Sequence, residues 1–223
     1  MRILFAVLLL LSVCPAFGDD RPDKHGIYRL ADPSERYTGT AFVVKAYKDR
    51  VYLATAAHVV CPDDGNKTIY SPGYDYPVRR NDRTLVGKVK VLMVAADADL
   101  ALMEGLFTVD VDVMDIDTDP VPTPKRDYLP PRKPGSVLGY ANGTWTETTG
   151  YLSFVSGNKL KADIIAIGGQ SGGPVVSDGK VVGVCSGGDV WFYEDADKKT
   201  GQFTWPLRAG NGKRLKEMMG GLK

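Results

Sequence analysis

The sequence predicts an all-β protein: two β-barrels joined by a proline-rich connection, with a short C-terminal helix. Three observations predict it. Few segments carry the 3.6-residue apolar period of a helix, whereas short β-rich runs recur between turn residues. Between Pro120 and Pro134 the chain reads Pro-Val-Pro-Thr-Pro-Lys-Arg-Asp-Tyr-Leu-Pro-Pro-Arg-Lys-Pro, a proline density that cannot join a sheet ladder and favours a stiff extended link. The 223 residues suit one domain or a tightly joined pair, large enough to bury a core without metal or dense disulfides.

The N-terminus carries Arg2 and then the apolar run from Ile3 to Leu11, followed by Ala16-Phe17-Gly18 and the polar start Asp19-Asp20. A charged tip, an apolar stretch too short to span a bilayer and a small-x-small site predict a secretory signal peptide over residues 1–18. The mature chain is then secreted or periplasmic, with no stable membrane insertion. A lipoprotein signal with acylation at Cys14 is the alternative, but Val13 before and Pro15 after that cysteine fit it poorly.

Residues 19–119 read as the first barrel. Thr40–Ala46 and Val51–Thr55 flank Lys48-Asp49-Arg50 and read as a hairpin, with further strands at Leu85–Val94 and Leu100–Met103. The link over 120–134 leads to the second barrel in residues 135–223. Its strands are expected at Ser136–Tyr140, Thr146–Val155, Leu160–Ala166, Val175–Val176 and Val181–Cys185, with a tight turn at Asp178-Gly179. Lys213–Met219 reads as a terminal helix. The 28 basic and 27 acidic residues nearly cancel, which leaves no nucleic-acid stripe.

Three segments carry chemistry. Gly168-Gly169-Gln170-Ser171-Gly172-Gly173-Pro174-Val175 puts one serine in a run of small residues, where backbone N–H groups approach a substrate unobstructed. Upstream, the apolar strand Ala54-Thr55-Ala56-Ala57 runs into His58, one of only two histidines. A serine hydroxyl is a weak nucleophile and needs a base, a task suited to neutral imidazole. The other histidine, His25, lies in a polar stretch and reads as a surface residue. Between the two segments, Asp99 opens the alternating run Leu100-Ala101-Leu102, with Asp97 two residues away as the alternative carboxylate. Two histidines and few cysteines make a zinc site improbable, and no cofactor is expected.

The order His58, Asp99, Ser171, in those local contexts, resembles the trypsin/chymotrypsin-type serine proteases. The resemblance implies two packed antiparallel six-stranded barrels, His and Asp on the first, Ser on the second, and the site in the cleft. It also implies a Ser171 nucleophile, His58 as base, Asp99 orienting the imidazole, and an oxyanion hole of the Gly169 and Ser171 N–H groups. Asp99 is preferred to Asp97 because it directly precedes Leu-Ala-Leu, as the family pattern requires. A protein or peptide substrate follows.

Gln170 departs from the digestive and clotting enzymes, which carry aspartate there to pair with an N-terminus freed by cleavage. This chain lacks both that aspartate and the matching N-terminal sequence, so a site competent once folded is expected. The departure moves the resemblance toward bacterial-type enzymes including the Htr (high-temperature-requirement) proteases. Thr38-Gly39-Thr40-Ala41-Phe42-Val43 and Pro134-Gly135-Ser136-Val137-Leu138-Gly139-Tyr140 agree with that branch, and so does Asp163, which reads equally as a strand-edge charge. No peptide-binding module follows the protease-like region, so Htr-type chaperone activity and oligomeric gating are not expected.

Ile165 stands six residues before the serine, where the resemblance places the floor of the primary pocket; an apolar residue there argues against Arg or Lys selection. Ser186-Gly187-Gly188 resembles the segment that walls that pocket and pairs with substrate backbone, which predicts small-to-medium apolar side chains. Cys61 and Cys185 could bridge after export, but two small buried thiols are the preferred reading. Asn66-Lys67-Thr68 and Asn142-Gly143-Thr144 are sugar acceptors only in a glycosylating host. An esterase-type serine hydrolase and a non-catalytic binding module on a protease scaffold are the alternative functions.

Overall fold

The computed structural model describes residues 26–32, 37–48, 50–60, 73–119, 133–194 and 200–222. The signal segment with Cys14, His25, Cys61, the Asn66 triplet and most of the proline-rich link fall outside these residues. The strands form two closed antiparallel barrels of six strands each. The first contains β1 (Ile27–Ala31), β2 (Tyr37–Tyr47), β3 (Arg50–Ala56), β4 (Tyr76–Arg79), β5 (Leu85–Ala95) and β6 (Leu100–Phe107). The second contains β7 (Lys133–Ala141), β8 (Thr144–Ser156), β9 (Lys159–Asp163), β10 (Pro174–Ser177), β11 (Lys180–Glu194) and β12 (Thr200–Asn211). A single-turn helix α1 (Ala57–Val60) follows β3, and α2 (Gly212–Met219) ends the described chain.

Strand alternation sorts side chains into three cores. Along β2 and β3, Ala41, Val43, Val51 and Leu53 point into the first barrel. Their neighbours Phe42, Val44, Tyr52 and Ala54 point out of it, into a core shared with Tyr140, Val181 and Val184 of the second barrel. Both faces of β3 are therefore buried, and its sequence reads as a continuous apolar run rather than an alternating one. Val137, Leu152, Leu160, Val175 and Leu207 fill the second barrel. By contrast β5 keeps Lys88 and Lys90 outside while Val86, Val89 and Val91 turn inward. The shared core makes the cleft between the barrels a fixed surface.

The hairpin turns follow from residues that tolerate left-handed backbone. Asn142-Gly143 (φ 49° and 80°) and Asp178-Gly179 (φ 49° and 73°) form two-residue turns between β7 and β8 and between β10 and β11. Three strands escape the periodicity reading. β1 and β4 are only five and four residues long, and β12 carries Pro206 and, early on, Gly201 among the polar residues Thr200, Gln202 and Thr204. Ile164–Ala166, expected to extend β9, leaves the ladder after Asp163, while β11 runs nine residues past the expected Cys185. β7 starts at Lys133, so the last two residues of the proline-rich stretch are already in the barrel.

Helix α2 is amphipathic: Leu215 and Met218, three apart, insert into the shared core, and Lys213, Lys216 and Glu217 stay in water. Asn211 caps it, its side-chain oxygen accepting from the Arg214 N–H at 2.8 Å.

Candidate active site

The site begins where β3 ends. Helix α1 turns the chain immediately after Ala56 and leaves the His58 imidazole about half exposed at the mouth of the cleft. The Asp99 turn meets it from the side. The Ala57 N–H donates to the Asp99 carbonyl oxygen (3.0 Å), the His58 N–H to Asp99 Oδ1 (2.9 Å), and His58 Nδ1 lies 2.8 Å from Asp99 Oδ2. A carboxylate only accepts, so Nδ1 carries the proton and Nε2 is left with a lone pair.

Asp99 stands at φ +54°, a left-handed conformation that costs a non-glycine residue roughly 1–2 kcal/mol. That backbone points its carboxylate back at α1 rather than along β6. Burial pushes the Asp99 carboxyl up, but hydrogen bonds from the His58 ring, Ser186 and the His58 backbone outweigh it and hold it below the ordinary carboxylate range. Asp97 does not reach His58. Its Oδ2 accepts from Asn158 Nδ2 at 2.6 Å and its Oδ1 lies 3.7 Å from Arg214, so it ties the turn to the second barrel and α2.

Ser171 sits in a turn that spans both barrels. Within the second barrel, Gly172 N–H donates to the Cys185 carbonyl (2.7 Å) and Cys185 N–H to the Gly173 carbonyl (2.8 Å). Across the cleft, the Thr40 N–H donates to the Ser171 carbonyl (2.8 Å). Glycines permit this proximity. A Cβ on Gly172 (φ +85°) would lie 2.1 Å from the Thr40 carbonyl oxygen and Thr55 Oγ1; one on Gly39 would lie 2.8 Å from both the Ser171 carbonyl oxygen and a Val59 methyl. Gly39 is thus wedged between the Ser171 main chain and the helix that bears His58. Among the described residues no hydrogen bond joins His58 to Ser171 Oγ, a looseness common in substrate-free sites.

Thr40 is fully buried and serves both barrels, and its part was not legible beforehand. Its hydroxyl donates to the Gly169 carbonyl (2.9 Å) and accepts from the Tyr140 N–H (3.0 Å), while its own carbonyl accepts from Thr55 Oγ1 (2.7 Å). The signal available in the sequence was a hydroxyl residue beside an apolar run, which strand propensity alone explains. Thr40→Val keeps the shape but removes both hydrogen bonds of the hydroxyl, to the Gly169 carbonyl and from the Tyr140 N–H. The expected loss is roughly 1–3 kcal/mol of unfolding free energy, read by urea denaturation.

One specificity expectation needs correction. Ile165 is 61% exposed, so it does not floor a closed pocket; the chain leaves β9 two residues earlier and carries it to the surface. The Ser186 hydroxyl donates to Asp99 Oδ2, a role for that side chain that the expectation of a pocket wall did not include. Gly187, at φ +127° and with open space where a Cβ would stand, lies in a bulge of β11, and Gly188 follows in the same strand. Asp163 ends β9 at an exposed position.

Cys185 is a free, fully buried thiol, pushed up to about 12 by burial and, in smaller part, by Asp99. Iodoacetamide at pH 8 is therefore expected to leave Cys185 unmodified in native protein and to alkylate it after unfolding, as peptide mass mapping would read. Among the described residues no cluster of His, Cys, Asp or Glu could hold a metal ion, and no helix is long and apolar enough to cross a membrane.

Two six-stranded barrels with a His–Asp pair on one and a glycine-flanked serine turn from the other define a trypsin-like serine protease. The model of the trypsin-like peptidase domain matches residues 39–184, from the glycine beside Ser171 to the strand behind it, and the chain belongs to that family. Among solved structures it is similar to the Rv3671c protease in its inactive form, with a TM-score of 0.58 over 89% of each chain and 18% identity, a likeness of fold. No curated protein matches the sequence.

Proposed function

We propose that this protein is an exported serine endopeptidase that cleaves peptide bonds through an acyl-enzyme. Ser171 Oγ attacks the scissile carbonyl carbon as His58 Nε2 takes its proton. The tetrahedral oxyanion is held by the Gly169 and Ser171 N–H groups. His58 then protonates the leaving amine, and water repeats the sequence to release the acid. Asp99 keeps Nδ1 protonated and stabilises the imidazolium, and Ser186 holds Asp99.

The observation that carries this reading is the double grip of Asp99 on His58, through ring and main chain, opposite the Ser171 turn. A binding module on the same scaffold has no need of a carboxylate held in a left-handed turn to orient one imidazole. Export is supported by the apolar segment at residues 3–11 and the small-x-small site ending at Gly18.

The test uses protein secreted from the full-length chain. A fluorophosphonate is expected to form an adduct that mass mapping places on Ser171, casein is expected to be cut, and N-terminal sequencing is expected to begin at Asp19. Folded protein that takes no adduct sinks the enzyme reading. An adduct with ester turnover but no cleavage of casein or a mixed peptide library replaces endopeptidase by esterase. An intact N-terminus removes the signal-peptide part alone.

A further inference from the structure

The Gln170 side chain is fully buried beside the exposed chemistry, and the proposed reaction leaves it unused. Its amide has two acceptor sites and two donors, and all four are engaged. Oε1 accepts from the Ile167 N–H (2.9 Å) and from Thr148 Oγ1 (3.4 Å). Nε2 donates to the Val137 carbonyl (3.3 Å) and the Thr146 carbonyl (3.2 Å). The first contact fixes which end is oxygen, since a backbone N–H can only donate. These partners belong to β7, β8 and the Ser171 loop itself, all within the second barrel.

The main chain around it is a compact turn. Gln170 N–H donates to the Ile167 carbonyl and Gly173 N–H to the Gln170 carbonyl, both at 2.9 Å, with Gly169 at φ +97° between them. The Gly168 carbonyl accepts from the Asn142 N–H at 2.8 Å, and Thr40 holds the Gly169 carbonyl. Each carbonyl held in this way sends the N–H of the following residue the opposite way, because the two belong to one planar peptide unit and are anti across it. The direction of the Gly169 N–H is thus fixed through the Gly168 carbonyl. That of the Ser171 N–H is fixed through the Gln170 carbonyl. The side chain of Gln170 bolts the middle of this turn to the barrel wall.

We propose that Gln170 is a positioning residue that builds the oxyanion-binding turn as part of folding, using a neutral amide and internal partners only. This rests on the reading of Ser171 as nucleophile. The partners of the amide all lie at residues 137–167, so the turn needs no ion pair with a liberated N-terminus. The site is therefore set by the fold and not by N-terminal processing.

The test replaces Gln170 with Glu and with Ala, and follows fluorophosphonate labelling, peptide turnover and backbone hydrogen exchange. Gln170→Glu is nearly isosteric, but ionised it sets a negative oxygen against two carbonyls and cannot donate to either. Protonated, it restores one donor. The groups bonded to the amide (Ile167, Thr148, Val137, Thr146) carry no charge, and Glu147 between the two threonines is exposed. The His58–Asp99 pair is the same in parent and variant and cancels in the ratio.

The expected result is a labelling rate for Gln170→Glu about 100-fold below the parent at pH 8, on the scale of one lost oxyanion donor. The ratio to parent climbs as pH falls through the raised value of a buried carboxyl. Gln170→Ala is expected to lower kcat with little change in KM, to show no such pH trend, and to speed exchange of the Ile167 amide. A parent still carrying residues before Asp19 is expected to label as fast as the processed chain. The proposal is overturned if Gln170→Glu follows the parent at every pH, if Ile167 exchange is unchanged in Gln170→Ala, or if N-terminal trimming switches labelling on. A parent that takes no label defeats the nucleophile reading instead, and the exchange measurement still decides whether Gln170 holds the turn.

Discussion

Ser171→Ala is expected to lower peptide turnover by about 10⁶-fold, close to 8 kcal/mol of transition-state stabilisation, with the fold intact. The loss is this large because, as the proposed nucleophile and base, Ser171 and His58 would act as a unit. Without Oγ there is no acyl-enzyme, and the imidazole has no hydroxyl to deprotonate. The oxyanion donors remain in place, so a residual catalysis of about 10³–10⁴ over water persists. Stability should hardly move, since the described contacts of Ser171 run through its main chain: its carbonyl accepts from Thr40 and its neighbour Gly172 donates to Cys185. Burst and steady-state kinetics on a peptide ester, beside a urea melt, separate the two quantities. A loss below 100-fold would place the nucleophile elsewhere.

Asp99→Asn is expected to cost about 10⁴-fold in kcat, the scale this substitution has in triad proteases. Three donors converge on the native carboxylate: the His58 N–H on Oδ1, and His58 Nδ1–H and Ser186 Oγ–H on Oδ2. An asparagine must give one of these positions an NH₂. A backbone N–H cannot become an acceptor, but an imidazole can exchange tautomers, so the NH₂ settles opposite Nδ1. The proton then moves to Nε2, which can no longer take one from Ser171. The geometry survives and the base is lost.

The same carboxylate gives the protein a pH dependence. The folded-state pKa of Asp99 is depressed, so its stabilisation is complete above the unfolded value near 3.9 and is lost as pH falls through the lower folded value. Denaturation curves of the parent and Asp99→Asn should therefore converge in acid below about pH 4 and stay separated at neutral pH. A constant separation down to pH 2 would mean that the pair contributes no linked protons.

The parts of this protein that could be read from the chain are those whose cause is local. Asp178-Gly179 makes a tight turn because both residues accept left-handed backbone. Asn142-Gly143 does so for the same reason, although its triplet with Thr144 drew attention to a sugar site instead. The apolar runs at β2, β3, β5 and β6 are visible because burial selects their residues. The strands that stay hidden are held from outside: β1 and β4 are too short for a period to emerge, and β12 is defined by its ladders with β9 and β11.

The site divides in the same way. His58, Asp99 and Ser171 were legible as candidates because each stands in a distinctive local setting, and their order along the chain resembles a known pattern. The partners that hold them were not. Thr40 lies 129 residues from the Gly169 carbonyl it binds and Ser186 lies 87 from Asp99. Ile165 was misplaced for the complementary reason: counting back from the serine assumes a backbone path, and the chain departs from the ladder before reaching it.

The sequence by itself thus determined an all-β chain, its tight turns, its candidate histidine and serine, two candidate aspartates and the neutral residue at position 170. Only the tertiary structure decided that Asp99 rather than Asp97 faces the imidazole, that Ser186 serves the carboxylate, and that Thr40 and Gln170 fix the serine turn. The physical reason is range. Turn chemistry and alternation are set within a few residues, whereas a hydrogen bond between two barrels depends on how both close and on the apolar core packed between them.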